Sequence, residues 1–183
     1  MTTWVVLLRA VNVGNRRMKM ADLRDVFAGL GFDDAETHLQ SGNVVFSSKT
    51  KSPDVLAKKI EDAIEDRFGF RAEAILRTRE QVADTLAANP FTEEEAPDPS
   101  WLIVQFDKAP PNAAALKHFA KTYAGPEIIR VPKNAAEAYI YYPEGIGRSK
   151  LDAALKKAKV PLEGTARNIK VVRALAEMAA ARS

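Results

Sequence analysis

The sequence predicts an α+β fold of two ferredoxin-like plait subdomains, the second incomplete and followed by an extra C-terminal helix. Three observations carry this expectation. Period-two segments rich in β-branched and aromatic residues alternate with helical stripes. The first half runs β-α-β-β-α-β, the order of the split βαβ motif. After an acidic, proline-bearing stretch the same order begins again. At 183 residues, with 46% hydrophobic and 28% charged side chains, the chain can bury the cores of two small domains.

The first strand, residues 3–9, ends in a loop containing Asn12, Gly14 and Asn15. A helix follows from Met20; Met20, Leu23, Phe27 and Leu30 form its apolar stripe and Gly31 ends it. Residues 36–40 and 44–48 form a hairpin around Ser41-Gly42-Asn43. Ser52 and Pro53 suit the N-cap and first position of a second helix, which carries Leu56, Ile60, Ala63 and Ile64 and stops before Gly69. Residues 70–76 supply the fourth strand. Thr78 then caps a helix over 78–88 that buries Val82 and Leu86. Residues 89–100, with three prolines and four acidic side chains, read as a linker.

The second pass opens with a strand at 101–106 and a helix from about Pro111 that carries Leu116, Phe119, Ala120 and Tyr123. Strands at 128–131 and 138–142 flank a turn at Lys133-Asn134, and Ser149 caps a helix bearing Leu151, Ala154, Leu155 and Ala158. Where a fourth strand is due, the chain reads instead as a helix capped by Thr165, with Val172, Leu175 and Ala179 on its stripe. The expected organisation is therefore a first plait over 1–77, a helix and linker over 78–100, and a βαββα subdomain with a terminal helix over 101–183.

Composition removes much chemistry. With no cysteine there are no disulfides, thiolate zinc sites, iron–sulfur clusters or cysteine nucleophile, which fits a reducing cytoplasm. The longest strongly apolar run, from Trp4 to Leu8, is too short for a membrane span, so no membrane partner is expected. His38 and His118 have no metal-ligand spacing, and Ser41 sits in no nucleophile elbow. No metal site is expected, and the sequence names neither catalytic residues nor a cofactor. The net charge of +3 is uneven: residues 9–24 carry a local +4 and residues 148–173 a local +6. Two basic islands on an otherwise acidic chain point to localised attraction for anions.

Each island contains a glycine loop before a helix. In a plait, the loop after the first strand and the hairpin turn lie at one end of the sheet. Asn12, Gly14, Arg16 and Lys19 would there face Gln40, Ser41 and Asn43, and Arg9 or Lys19 would converge with Lys150 or Arg167 across the subdomain boundary. The bland alternative is that Gly42-Asn43 is only a turn and Asn12 only satisfies loop backbone. The second loop, Gly145-Ile146-Gly147-Arg148-Ser149-Lys150, follows a strand and opens a helix, but it has the spacing of neither a P-loop nor a dinucleotide fingerprint. Thr165, Arg167 and Asn168 add a third, weaker candidate: Arg167 in a first helical turn would be opposed by the helix dipole and would call for an anionic partner.

Three separated motifs carry a resemblance. Leu8-Arg9-Ala10-Val11-Asn12-Val13-Gly14 with Lys19-Met20 and Gln40-Ser41-Gly42-Asn43-Val44-Val45-Phe46 resemble the opening of the bacterial domain-of-unknown-function family 1697. Gly145, Gly147-Arg148-Ser149-Lys150-Leu151 and Thr165-Ala166-Arg167-Asn168 are similar to its closing motifs. The resemblance implies two plait-like subdomains and no assigned activity. The chain departs from the family pattern at Gly14-Asn15, where glycine is often doubled, and at Ile169-Lys170-Val171.

The function expected from these features is binding of a phosphorylated small molecule or nucleotide in a basic cleft between the subdomains. Two alternatives remain: a nucleic-acid-binding module without catalysis, and a protein–protein adaptor. The RNA reading is the weaker, because the third strand of the plait offers only Phe46, with Trp4 on the first.

Overall fold

A computed structural model describes residues 1–133, 135–160 and 162–182. Asn134, half of the turn expected at Lys133-Asn134, lies outside the described residues. The chain packs as two units, Met1–Ala83 joined by the residues from Ala174 onward, and Asp84–Arg173.

The first unit contains β1 (Thr2–Leu8), α1 (Met20–Gly29), β2 (Glu36–His38), β3 (Asn43–Ser48), α2 (Pro53–Phe68) and β4 (Ala74–Thr78). Its antiparallel sheet has the order β2-β3-β1-β4. Alternation on β1 aims Trp4, Val6 and Leu8 at one face, where they pack with Met20, Leu23 and Phe27 of α1 and with Leu56, Ile60 and Ile64 of α2. Val5, Leu7, Val45 and Ile75 on the other face are buried too. That is why these strands read as near-continuous apolar runs.

Local chemistry sets the helix ends. Ser52 Oγ accepts from Val55 N (3.4 Å), and Pro53 occupies the position where a missing N–H costs nothing. Gly31, at φ 82, ends α1: its N–H reaches Ala28 O (2.9 Å), Phe32 N reaches Phe27 O (3.0 Å), and the Phe27 and Phe32 rings meet at 6.1 Å. Strand β4 begins later than the expected 70–76. Glu61 holds the chain after α2, taking a hydrogen bond from Ala74 N (2.9 Å) and an ion pair from Arg71 (2.9 Å), and pairing with β1 starts only at Ala74. Thr78 closes β4 and caps α3 (Arg79–Ala87), exchanging hydrogen bonds with Gln81.

The second unit contains β5 (Leu102–Phe106), α4 (Ala113–Thr122), β6 (Ile128–Arg130), β7 (Ala138–Tyr141), α5 (Leu151–Lys157) and β8 (Thr165–Asn168). Asn112 caps α4 through Ala115 N (3.0 Å). Leu116, Phe119, Ala138, Ile140, Leu151 and Leu155 form its core. On the opposite face the buried Tyr139 hydroxyl donates to Thr85 O of α3 (2.5 Å).

Strand β8 corrects the expectation of an incomplete second plait. The sheet order β6-β7-β5-β8 repeats that of the first unit, and Thr165–Asn168 pairs antiparallel with β5. Thr165 caps no helix; Asn168 does, accepting from Val171 N (2.9 Å), and α6 (Ile169–Ala180) starts one residue later. A four-residue strand that buries an arginine and runs directly into a helix has no sequence period long enough to be seen.

Residues beyond α6 are anchored in the first unit. Arg182 donates to Asp34 Oδ2 (2.6 Å), Asp34 O (2.6 Å) and Glu36 Oε1 (2.8 Å), and its carbonyl accepts from Arg79 (3.2 Å). No helix among the described residues is long and apolar enough to cross a membrane.

Candidate functional site

The loop between β1 and α1 is fixed at both ends. Leu8 N donates to Gly42 O and Arg9 N to Glu73 O, each at 2.9 Å. The Asn12 side chain is fully engaged: Nδ2 donates to Met18 O (2.9 Å) and to Gln40 O (2.7 Å), while Oδ1 accepts from Met18 N (2.8 Å). Asn12 thus ties the loop to the hairpin turn and shapes the site without a donor to spare.

Between these anchors the backbone alternates. Ala10 (φ 56), Asn12 (φ 53) and Gly14 (φ 55) are left-handed, and Val11 and Val13 between them are not. Ala10 is a costly choice there, since a Cβ in this region costs about 1–2 kcal/mol. The backbone N–H groups from Ala10 through Asn15 find no acceptor among the described residues. A backbone that alternates between the right- and left-handed helical regions turns successive amides toward a common concavity that receives anions. Arg17 and Lys19 follow, exposed and without a side-chain partner among the described residues, and Lys19 stands at the uncapped N-terminus of α1. Arg16 lies over the Phe70 ring at 5.9 Å.

The other expected residues of this end serve structure. Arg9 pairs with Glu73 (3.1 Å) at the surface. Asn43 is completely buried, and its amide donates to His38 O (2.8 Å) and Ser41 Oγ (2.9 Å), closing the turn. Gln40 contributes the carbonyl that Asn12 holds. Gly42 sits at φ 72, where a Cβ would come within 2.7 Å of Val11 Cγ2 and 2.9 Å of Leu8 Cβ.

The second glycine loop is partly closed, its Ile146, Gly147, Arg148 and Lys150 N–H groups finding no acceptor among the described residues. Gly145 N donates to Tyr142 O and Ser149 N to Ile146 O, making a short 3-10 turn over Ile146–Arg148. Gly145 (φ 79) lies against the Trp101 ring. Ser149 does not greet a ligand: its hydroxyl donates to the buried carboxylate of Glu127, and its Oγ accepts from Leu151 N (3.1 Å). Tyr123 donates to the same carboxylate (2.7 Å). Burial pushes the Glu127 carboxyl up, but the Ser149 and Tyr123 hydroxyls more than offset it, leaving the group below the ordinary glutamate range. Burial, together with Glu127, lifts the Tyr123 and Tyr142 phenols to about 12. A carboxylate at the base of this loop opposes a second anion. Gly147, Arg148 and Lys150 are exposed beside it.

Arg167 is not in a helical turn, so the dipole argument for an anionic partner falls. It lies in β8 with its side chain buried, donates to Thr165 Oγ1 (2.7 Å) and Ala166 O (2.8 Å), and burial pulls its pKa down to about 10. Thr165 is buried beside it, and Asn168 is spent as the cap of α6.

The sequence places Ala10 and Val13 in the opening motif and Arg17 in the first basic island, but singles out none of them, nor Leu39, as a site residue. Leu39 lies inside the segment expected to be strand, and nothing in its type announces its left-handed backbone, φ 58. Among the described residues, no group of three or more His, Cys, Asp or Glu side chains could hold a metal ion.

The family described as "Protein of unknown function (DUF1697)" matches residues 1–136. The chain belongs to this family. The matched stretch contains the open loop, the hairpin turn and the whole first plait. The solved structure of the conserved bacterial protein SP0830 from Streptococcus pneumoniae is similar over 98% of this chain and 99% of that one, with a TM-score of 0.75 and 22% identity. That likeness is one of fold. No curated protein matches the chain.

Proposed function

We propose that the chain binds a phosphorylated small molecule or nucleotide, with the phosphate seated on the loop from Ala10 to Asn15. The observation that supports this reading is the run of amides without an acceptor among the described residues, on an alternating backbone, followed by Arg17 and Lys19 with no carboxylate partner among those residues. The amides supply directional donors, and the two cations supply charge beside the N-terminus of α1. The site works by binding and orientation; its own side chains include no nucleophile or base poised for chemistry.

Isothermal titration with ADP and inorganic pyrophosphate at low salt tests the reading. Charge-assisted hydrogen bonds contribute about 1.5–3 kcal/mol each, so Lys19→Ala is expected to weaken binding at least tenfold while the melting temperature stays within about 1 °C. Absence of binding by either anion at millimolar concentration, or equal affinity in Lys19→Ala, overturns it. A steep loss of affinity with salt, and preference for a polynucleotide over ADP, would instead support the nucleic-acid alternative.

A further inference from the structure

We infer that the ligand of this loop carries an apolar ring beside its phosphate, a nucleobase, and that Val13 and Leu39 are the residues that contact it. This rests on the reading of the loop as an anion site and narrows the ligand class.

Val13 is 55% exposed and Leu39 56% exposed. They come from different segments, but the Asn12–Gln40 hydrogen bond (2.7 Å) joins their immediate neighbours, so both apolar tips stand at the same end of the first sheet. The open amides and Lys19 belong to the loop that bears Val13. A phosphate on those amides would leave the rest of its molecule beside these two side chains.

Leu39 is the more telling residue. A bulky side chain at φ 58 strains the backbone, and exposure adds unfavourable apolar hydration. Asparagine or glycine would fit that turn at lower cost on both counts. Lys159 shows the contrast. It also has a left-handed backbone (φ 59), but it ends α5, its N–H bonding Lys156 O while Val160 N bonds Leu155 O, and its charged side chain is at home in water. Leu39 ends no helix and adds its side chain to no core. Strain retained at an exposed apolar residue, beside open amides, marks a contact made from solvent. Val13 and Leu39 are aliphatic and would pack against the two faces or the edge of a planar base.

The experiment compares inorganic phosphate, ribose 5-phosphate and AMP by isothermal titration against the wild-type chain, Val13→Ser and Leu39→Asn. The expected result is at least tenfold tighter binding of AMP than of ribose 5-phosphate. Each variant should weaken AMP about threefold to tenfold and leave ribose 5-phosphate unchanged. Leu39→Asn is also expected to raise the melting temperature, because it relieves strain. Equal affinities for AMP and ribose 5-phosphate, variants that weaken both alike, or a lower melting temperature in Leu39→Asn would overturn the inference while leaving the anion site standing. If none of the three probes binds, the anion site falls with it.

Discussion

The two glycine loops occupy corresponding places in their units and are built differently. Both follow a strand, precede a helix and carry lysine and arginine. In the first, the backbone donors from Ala10 to Asn15 find no acceptor among the described residues, and the strain at Ala10 persists without a local reward. Each loop has two internal backbone hydrogen bonds, from Arg16 N to Val13 O and Arg17 N to Asn15 O in the first and from Gly145 N and Ser149 N in the second. In the second, however, Gly145 alone has a left-handed backbone, Trp101 lies against it, and the buried Glu127 carboxylate takes the Ser149 hydroxyl. Glycine content and charge do not separate a receptive loop from a finished one. What separates them is the repeated left-handed backbone of the first and the buried carboxylate at the base of the second.

That contrast can be broken most directly at its glycines. Gly42→Ala, which combines a left-handed backbone with contacts to Val11 and Leu8, is expected to cost about 2–4 kcal/mol in urea denaturation. Gly147→Ala, with nothing within 4 Å of the added carbon, should change stability by less than about 0.5 kcal/mol. Equal effects would show that the backbone at Gly42 yields to an added Cβ as readily as the exposed turn at Gly147.

The carboxylate of the second loop offers the next test. Glu127→Ala strips the acceptor from Tyr123 and Ser149 and is expected to cost about 2–3 kcal/mol. Because the folded-state pKa of Glu127 lies below its unfolded value, its contribution is complete above about pH 4.5 and is lost as pH falls through the folded value. Urea midpoints measured from pH 6 to pH 3 should therefore fall less steeply in Glu127→Gln than in the wild type. Parallel slopes would mean that the hydroxyls do not hold that carboxylate ionised.

The smallest expected effect is a silence. Lys150→Ala should leave ADP affinity within about twofold of wild type, against the tenfold or greater loss in Lys19→Ala. A tenfold loss in Lys150→Ala would return the second loop to the site.

Much of this architecture is legible in the residues. The stripe Leu23–Phe27 with Gly31, the Ser52-Pro53 cap and the Thr78 cap each follow from side-chain chemistry, and the strand order of the first plait follows from its element order. Strand β8 is invisible because its signal is four residues long and its inward residues are Thr165 and Arg167 rather than aliphatics. The site divides in the same way. Asn12, Gly14 and Lys19 mark the loop by type. Only backbone angles and hydrogen-bond partners reveal that Asn12 is spent, that Ala10 is strained and that Leu39 stands outside the core.

The Arg182 anchor bears on the order in which a ribosome can finish this protein. The unit Asp84–Arg173 is continuous in the chain, so all of its strands are available once β8 has emerged. The earlier-made unit stays without the residues from Ala174 onward, and without the guanidinium that ties down Asp34 and Glu36, until translation has passed Arg182. The half synthesised first is completed last, and for that interval the acidic segment before β2 lacks its counter-charge.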